Sequence, residues 1–390
     1  MPRKLETGWI SQYNTIKVRL HPTPEQAELF EKTFGCCRYI WNQMLADQQR
    51  FYLETGTHFI PTPAKYKRGA PFLKEVDNQA LIQEHNRLSQ AFRMFFKNPE
   101  TFGYPRFKKK KTDRDSFTAC NHEFTSGPTI YTTSNGLRLT KAGIVPAKFH
   151  RRPLGWWKLK RVTVEKTRTG KYCACILYEC PAKKPQSVLP MPEKTVGLKY
   201  SLPHFYVADN GEMADPPQWL KQSQEKLIKV QRKLSRMKPG SRNYQQTVHK
   251  FRKLHEHIAN QRRDFIHKES RRIANAWDAV CVRGDELNEL NRITTRRNML
   301  DFGFGAFREC LHYKLARKGK QLFVVDRYFP STRTCFKCGY VTPEGIPLKH
   351  RTWTCSRCGT VLHRDVNAAQ NIKAQGLAQY FSMQEQHKSA

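Results

Sequence analysis

Apolar positions in the first 180 residues follow two rhythms. Alternation in Thr15-Ile16-Lys17-Val18-Arg19-Leu20 predicts a strand. Thr23-Pro24-Glu25-Gln26, just beyond it, reads as a capping box with proline at the first helical position. Leu29, Phe30, Phe34 and Cys37 then recur at helical spacing, as do Leu81, Leu88, Phe92 and Phe95 in a helix predicted from about residue 77 to 96. From Phe117 to about Glu179 the period shortens to two. Arg161–Glu165 and Tyr172–Leu177 flank Thr169-Gly170, a hairpin signal. Cys173 and Cys175 share one face of the second strand and are predicted to be core rather than ligands. Pro181 to Pro192 reads as a linker.

Beyond it the pattern becomes α/β. Lys194–Ala208 reads as a strand hairpin around Ser201-Leu202-Pro203. Helices follow at 217–237 and 244–276, joined by Lys238-Pro239-Gly240-Ser241. Leu227, Val230 and Leu234 line one; Val248, Phe251, Leu254, Ile258 and Phe265 line the other. Packed together, the two stripes leave lysine- and arginine-rich faces outward. A buried strand at 279–282, a helix near 303–318 and a strand at 321–326 complete the pattern.

Charge then narrows the partner. Lys plus Arg outnumber Asp plus Glu by 69 to 33, a net charge of +36 that favours a polyanionic partner. The other reading of this charge is a ribosomal or non-specific basic protein, although such proteins rarely carry 12% aromatics over several folded domains. Met1-Pro2-Arg3-Lys4 does not open a secretory signal, and no stretch reaches the ~18 apolar residues of a membrane span. The expectation is a cytoplasmic, nucleoid-associated protein. In Gly103-Tyr104-Pro105-Arg106-Phe107-Lys108-Lys109-Lys110-Lys111, aromatic and basic residues interleave, so Arg106, Lys108, Lys109, Lys110 and Lys111 are predicted phosphate contacts. On the long hairpin, Arg262, Arg263 and Lys268 are predicted likewise. Asn78, Gln79 and Gln83 could reach base edges from the helix near 77.

In a reducing compartment, twelve cysteines suggest ligands and buried thiols. Cys335-Phe336-Lys337-Cys338 and Cys355-Ser356-Arg357-Cys358 are separated by sixteen residues, the spacing of a four-cysteine zinc ribbon. Four thiolates close the coordination sphere, so the zinc is expected to be structural.

These features occur in an order that resembles the TnpB family, transposon-encoded relatives of type V CRISPR effectors. Its motifs include the opening strand and capped helix, Gly103–Lys108, the hairpin ending Asn260–Lys268, the cysteine pairs and His363-Arg364-Asp365-Val366-Asn367-Ala368-Ala369-Gln370-Asn371-Ile372. The resemblance implies a multidomain α+β and α/β chain. A β-barrel wedge domain (1–22 and 115–185) would carry a helical recognition insertion (23–114). An RNase H-like RuvC domain (193–330 and 363–390), with a helical hairpin insertion, would be interrupted by the zinc ribbon (331–362). It also implies a transposon-end-derived guide RNA, a double-stranded DNA target and a short flanking motif.

RuvC nucleases bind two divalent ions between distant carboxylates. Asp365 matches the family's last aspartate, but Val196-Gly197-Leu198-Lys199 puts lysine where the first belongs. At the glutamate position either Arg283 or Asp285 stands, depending on register in Arg283-Gly284-Asp285-Glu286-Leu287. An ammonium ~4 Å from a divalent ion is repelled by roughly 8 kcal/mol at an effective dielectric of 20. That exceeds the ~4 kcal/mol of millimolar binding. Lys199 is expected either to pair with Asp365 or to face solvent or nucleic acid. The resulting expectation is a protein that is not an enzyme and holds no catalytic magnesium; its resemblance to the nuclease-dead TnpB-like repressors implies that it represses transcription by occupying its target. The alternative is an active RNA-guided endonuclease with a rearranged RuvC site.

Overall fold

The computed structural model describes residues 8–125, 127–201, 204–215, 218–284, 303–347 and 350–388. Contacts divide the chain into two units, residues 1–184 and 185–390. The first unit opens with β1 (Trp9–Leu20), twice the length its alternation predicts. Only Ile16, Val18 and Leu20 are buried; the outer half is held by pairing rather than by a buried face, so the apolar period could not report it. In α1 (Pro24–Thr55) the Thr23 hydroxyl accepts from the Gln26 amide, and the Gln26 side chain accepts from the Thr23 amide. That closes the capping box. Gly56, at φ 68°, ends the helix in the left-handed region where glycine carries no Cβ penalty. The Asp77 carboxylate caps α2 (Asn78–Lys97) through the Gln79 amide.

Strands follow: β2 (Asp115–Cys120), β3 (Glu123–Phe124), β4 (Gly127–Pro128), β5 (Tyr131–Thr132), β6 (Gly136–Leu139), β7 (Gly143–Lys148), β8 (Lys158–Lys166) and β9 (Tyr172–Lys183). Seven of these elements form one sheet in the order β2-β8-β9-β1-β7-β6-β5. Phe30 and Phe34 of α1, Leu81 and Phe92 of α2, and Phe117, Val162 and Ile176 of the sheet share one core. Two expectations change here. Ala174, Ile176, Tyr178 and Cys180 are the buried face of β9, while Cys173 and Cys175 lie on its half-buried face. A two-residue period fixes which residues share a face but not which face is the core. The predicted linker also starts too early, because β9 continues to Lys183 with Pro181 opposite Ser11. Its β8 partner ends opposite Glu179, so Pro181 sits on an open edge, where a missing N–H is tolerated.

The second unit is built on β10 (Thr195–Tyr200), β11 (Tyr206–Ala208), β12 (Met213–Ala214), β13 (Ala279–Arg283) and β14 (Gln321–Val325). Their order is β12-β11-β10-β13-β14. The hairpin β10–β11 is antiparallel, while β10, β13 and β14 run parallel. Between β12 and β13 rise α3 (Gln218–Ser235) and α4 (Arg242–Ala276), capped by Ser241. Helix α5 (Phe304–Ala316) packs Phe304, Phe307 and Leu311 into the sheet core. A small hairpin, β15 (Thr352–Thr354) and β16 (Val361–His363), leads into α6 (Arg364–Lys388). This helix lies so close to β10 that a Cβ on Gly197 would stand 2.1 Å from the Ala369 carbonyl oxygen.

Candidate functional site

Residues 335–340 and 355–360 form two matched knuckles. In each, the amide of the first cysteine bonds the carbonyl five residues on (Tyr340, Thr360), and a glycine amide (Gly339, Gly359) returns to that cysteine's carbonyl. Both glycines have positive φ, 72° and 67°. The turns bring the Cys335, Cys338, Cys355 and Cys358 sulfurs within 4.8 Å of one another. Cys335–Cys358 and Cys338–Cys355 each stand 3.7 Å apart. Two Zn–S bonds of ~2.3 Å at a tetrahedral angle require about 3.8 Å. The four thiols fit structural zinc, and no other such cluster occurs among the described residues.

The ribbon is anchored beside Asp365. Asn367 accepts from the Phe336 amide and donates to the Thr334 carbonyl, and Asn371 donates to the carbonyls of Ser331 and Thr334. Asp365 lies in the first turn of α6, where the helix dipole favours a carboxylate, and is 3% exposed. Arg351, from the ribbon, reaches its Oδ2 at 3.1 Å; Arg364 approaches Oδ1 at 3.8 Å; the Ser201 hydroxyl donates at 3.3 Å. In the parallel register Leu198 faces Val282, so Lys199 and Arg283 follow as neighbours on adjacent strand ends. Nothing in sequence spacing pointed to Arg351. Asp209 serves the fold: its oxygens accept from the Gly197 amide and from Lys373, each at 2.9 Å. Asp285 and Glu286 lie outside the described residues. Among the described residues, Asp365 is thus a buried carboxylate held between Arg351 and Arg364.

The predicted nucleic-acid contacts separate into groups. Trp41 donates to the Arg106 carbonyl, and the Asn42 side chain bonds both the amide and the carbonyl of Lys108, fixing residues 106–108 on α1. Arg106, Lys109, Lys110 and Lys111 project outward. Lys108 differs. Its ammonium lies 2.5 Å from fully buried Glu84 and 4.0 Å from the Trp41 ring centroid, a structural role that the charge run concealed. Arg263 is exposed, and Lys268 pairs with Asp264 at 2.7 Å one turn away. Arg262 is half-buried, with its stem beneath Gly303. On α2, Asn78 accepts from Lys67, while Gln79 and Gln83 are half-buried.

Known proteins resemble the chain along most of its length. Residues 304–372 match a family model described as Cas12f1-like, TNB domain; 13–57 a helix-turn-helix domain; and 175–291 a probable transposase. Over residues 13–57 the structure is the end of β1 followed by the single helix α1. A Streptomyces pristinaespiralis protein named as a candidate RNA-guided DNA endonuclease is 33% identical, covering 93% of this chain and 89% of the relative. InsQ of Escherichia coli K12, named likewise, is 27% identical over 95% of this chain and 94% of its own. Among solved structures, Cas12f1 in a complex with sgRNA and target DNA superposes with a TM-score of 0.59 at 11% identity, covering 94% and 99% of the two chains, a likeness of fold.

The class is thus that of the RNA-guided endonucleases of transposons. The chain belongs to the TnpB family, the OrfB type of IS605 elements. The expectation that it is not an enzyme is corrected by these relatives, which are named for nuclease activity. That expectation rested on Lys199 at the first aspartate position and on the altered glutamate position, Arg283 or Asp285, of which Asp285 lies outside the described residues. No described helix is long and apolar enough to cross a membrane.

Proposed function

We propose that this protein binds a guide RNA that directs it to matching double-stranded DNA beside a short flanking motif. The observation that carries the reading is 33% identity, over 93% of the chain, to a relative named for RNA-guided DNA cleavage. The Cas12f1-like fold and the net charge of +36 support it. Base pairing supplies the sequence information, and the protein's cations hold the backbones. In this reading residues 1–22 and 115–185 are the wedge domain and 23–114 the recognition insertion. Residues 193–330 and 363–390 form the RuvC domain around the ribbon at 331–362. The strand order β12-β11-β10-β13-β14, an antiparallel hairpin joined to parallel strands, supports an RNase H-like assignment.

Cleavage is assigned to a rearranged RuvC centre at Asp365. If magnesium is bound there, it supplies the activated water and steadies the leaving oxygen. The chain's own part is to hold the Asp365 carboxylate at the strand ends through Ser201 and Arg351. Stable occupancy of the target also obstructs polymerase and lowers transcription across it. The experiment is to sequence RNA that copurifies with the protein, then measure binding and magnesium-dependent scission on matched and mismatched duplexes. A discrete RNA with a variable guide end is expected, with footprints that move when the guide is exchanged. Bulk cellular RNA, or footprints indifferent to the guide, would end the reading.

A further inference from the structure

The loop between β7 and β8 carries His150-Arg151-Arg152-Pro153-Leu154-Gly155-Trp156-Trp157, with Lys158 opening β8. Its two tryptophans differ. Trp157 packs against Tyr178 with ring centroids 5.8 Å apart, and the Arg151 guanidinium lies 5.0 Å over its ring. The Trp157 amide bonds the Leu154 carbonyl at 2.9 Å, folding the loop back on itself. Trp156 stands edge-on to Trp157 at 6.2 Å and 74°, and remains 54% exposed. Arg152 and Lys158 are exposed beside it. The indole N–H of Trp157 is buried with no acceptor among the described residues. A large ring is therefore held out beside a packed neighbour, with cations spaced along the same loop. Such a platform suits a nucleobase on the ring face with its phosphates on the cations.

We propose that Trp156 is a stacking seat for an unpaired nucleobase, with Arg152 and Lys158 holding the flanking phosphates. The seat rests on the guide-RNA reading only for its natural occupant; its chemistry is testable without a guide. The two sources of an unpaired base, guide RNA and displaced DNA strand, are separated by the sugar. With the full-length protein and labelled 20-residue oligo(rA) or oligo(dA), Trp156→Ala should weaken binding about five- to a hundred-fold with an unchanged salt slope. Loss on oligo(rA) alone assigns the seat to RNA; loss on both extends it to DNA. Arg152→Ala should instead lower the salt slope by about one. Oligonucleotide should quench the wild-type tryptophan fluorescence, and Trp156→Phe should keep most of the affinity while losing that quenching, a readout available even if the alanine variant folds poorly. Unchanged affinity on both oligonucleotides, together with quenching that persists in Trp156→Phe, overturns the seat. If the same preparation still copurifies a discrete RNA, the guide reading survives that failure; bulk RNA would sink the guide reading alone.

Discussion

Replacing Lys108 with alanine tests whether a basic run is a binding surface or partly a structural one. Glu84 is fully buried and holds two cations, Arg87 at Oε1 and Lys108 at Oε2, each at 2.5 Å. Arg87 also donates to Thr118, which ties α2 to β2. Removing one partner of a buried ion pair costs about 3–5 kcal/mol, because the remaining charge is left under-compensated. Arg87 stays in place, so the lower end applies to the pair; the lost contact over Trp41 adds roughly 1 kcal/mol. For a unit of this size each kcal/mol moves Tm by about 2–4 °C, so a fall of roughly 8–16 °C is expected. Lys109→Ala, at an exposed position, should leave Tm unchanged and lower the salt slope of nucleic-acid binding by about one. Thermal denaturation and salt titration of both variants decide the matter. A Lys108→Ala protein with wild-type Tm and a reduced salt slope would refute the structural role.

Further outcomes follow from other contacts. Cys355→Ser, or a strong chelator, should remove one zinc per chain by elemental analysis and open the knuckles to proteolysis, leaving residues 1–184 protected. Gly197→Ala should destabilise the second unit by about 1–3 kcal/mol or more, since its Cβ meets the Ala369 carbonyl oxygen at 2.1 Å; an unchanged denaturant midpoint would contradict that packing. Asp365→Asn should abolish magnesium-dependent scission while guide RNA still copurifies, and scission at the wild-type rate would remove Asp365 from the centre. Asp113 has its carboxyl held below the usual range, first by the hydrogen bond from the Lys109 amide and then by the Arg106 charge. Its folded pKa is the lower one, so its contribution is present above the ordinary aspartate range and is lost as pH falls through the folded value. Hydrogen exchange at the 109–113 turn should rise in that acidic window.

What could be read from the residues depended on whether local chemistry decided the outcome. Thr23 and Gln26 need only each other, and the helix start was legible. The paired cysteines likewise carry their geometry in their spacing. Lys108 looked identical to Lys109 until α2 brought Glu84 beneath it from 24 residues away. Cys173 and Cys175 were put on the wrong face because alternation has no sign. Arg351 was invisible as a neighbour of Asp365, since only the ribbon hairpin delivers it. Trp156 was within reach: its loop repeats the basic–aromatic interleaving of residues 103–111. Lys199 and the altered glutamate position misled because changes at two positions were allowed to decide whether the chain is an enzyme, against relatives named as endonucleases.

The pairing of β1 has a consequence for biosynthesis. Leu20 meets Tyr172 and Trp9 meets Lys183, so the first strand made is flanked on its longer side by the last strand of its unit. At roughly 5–20 residues per second, a ribosome needs about 8–30 s to deliver that neighbour. Meanwhile α1 and α2 can form and dock, but a twelve-residue edge waits with unsatisfied amides and carbonyls. Co-translational yield should therefore be more sensitive to elongation speed and chaperone supply across residues 20–183 than across the remainder of the chain.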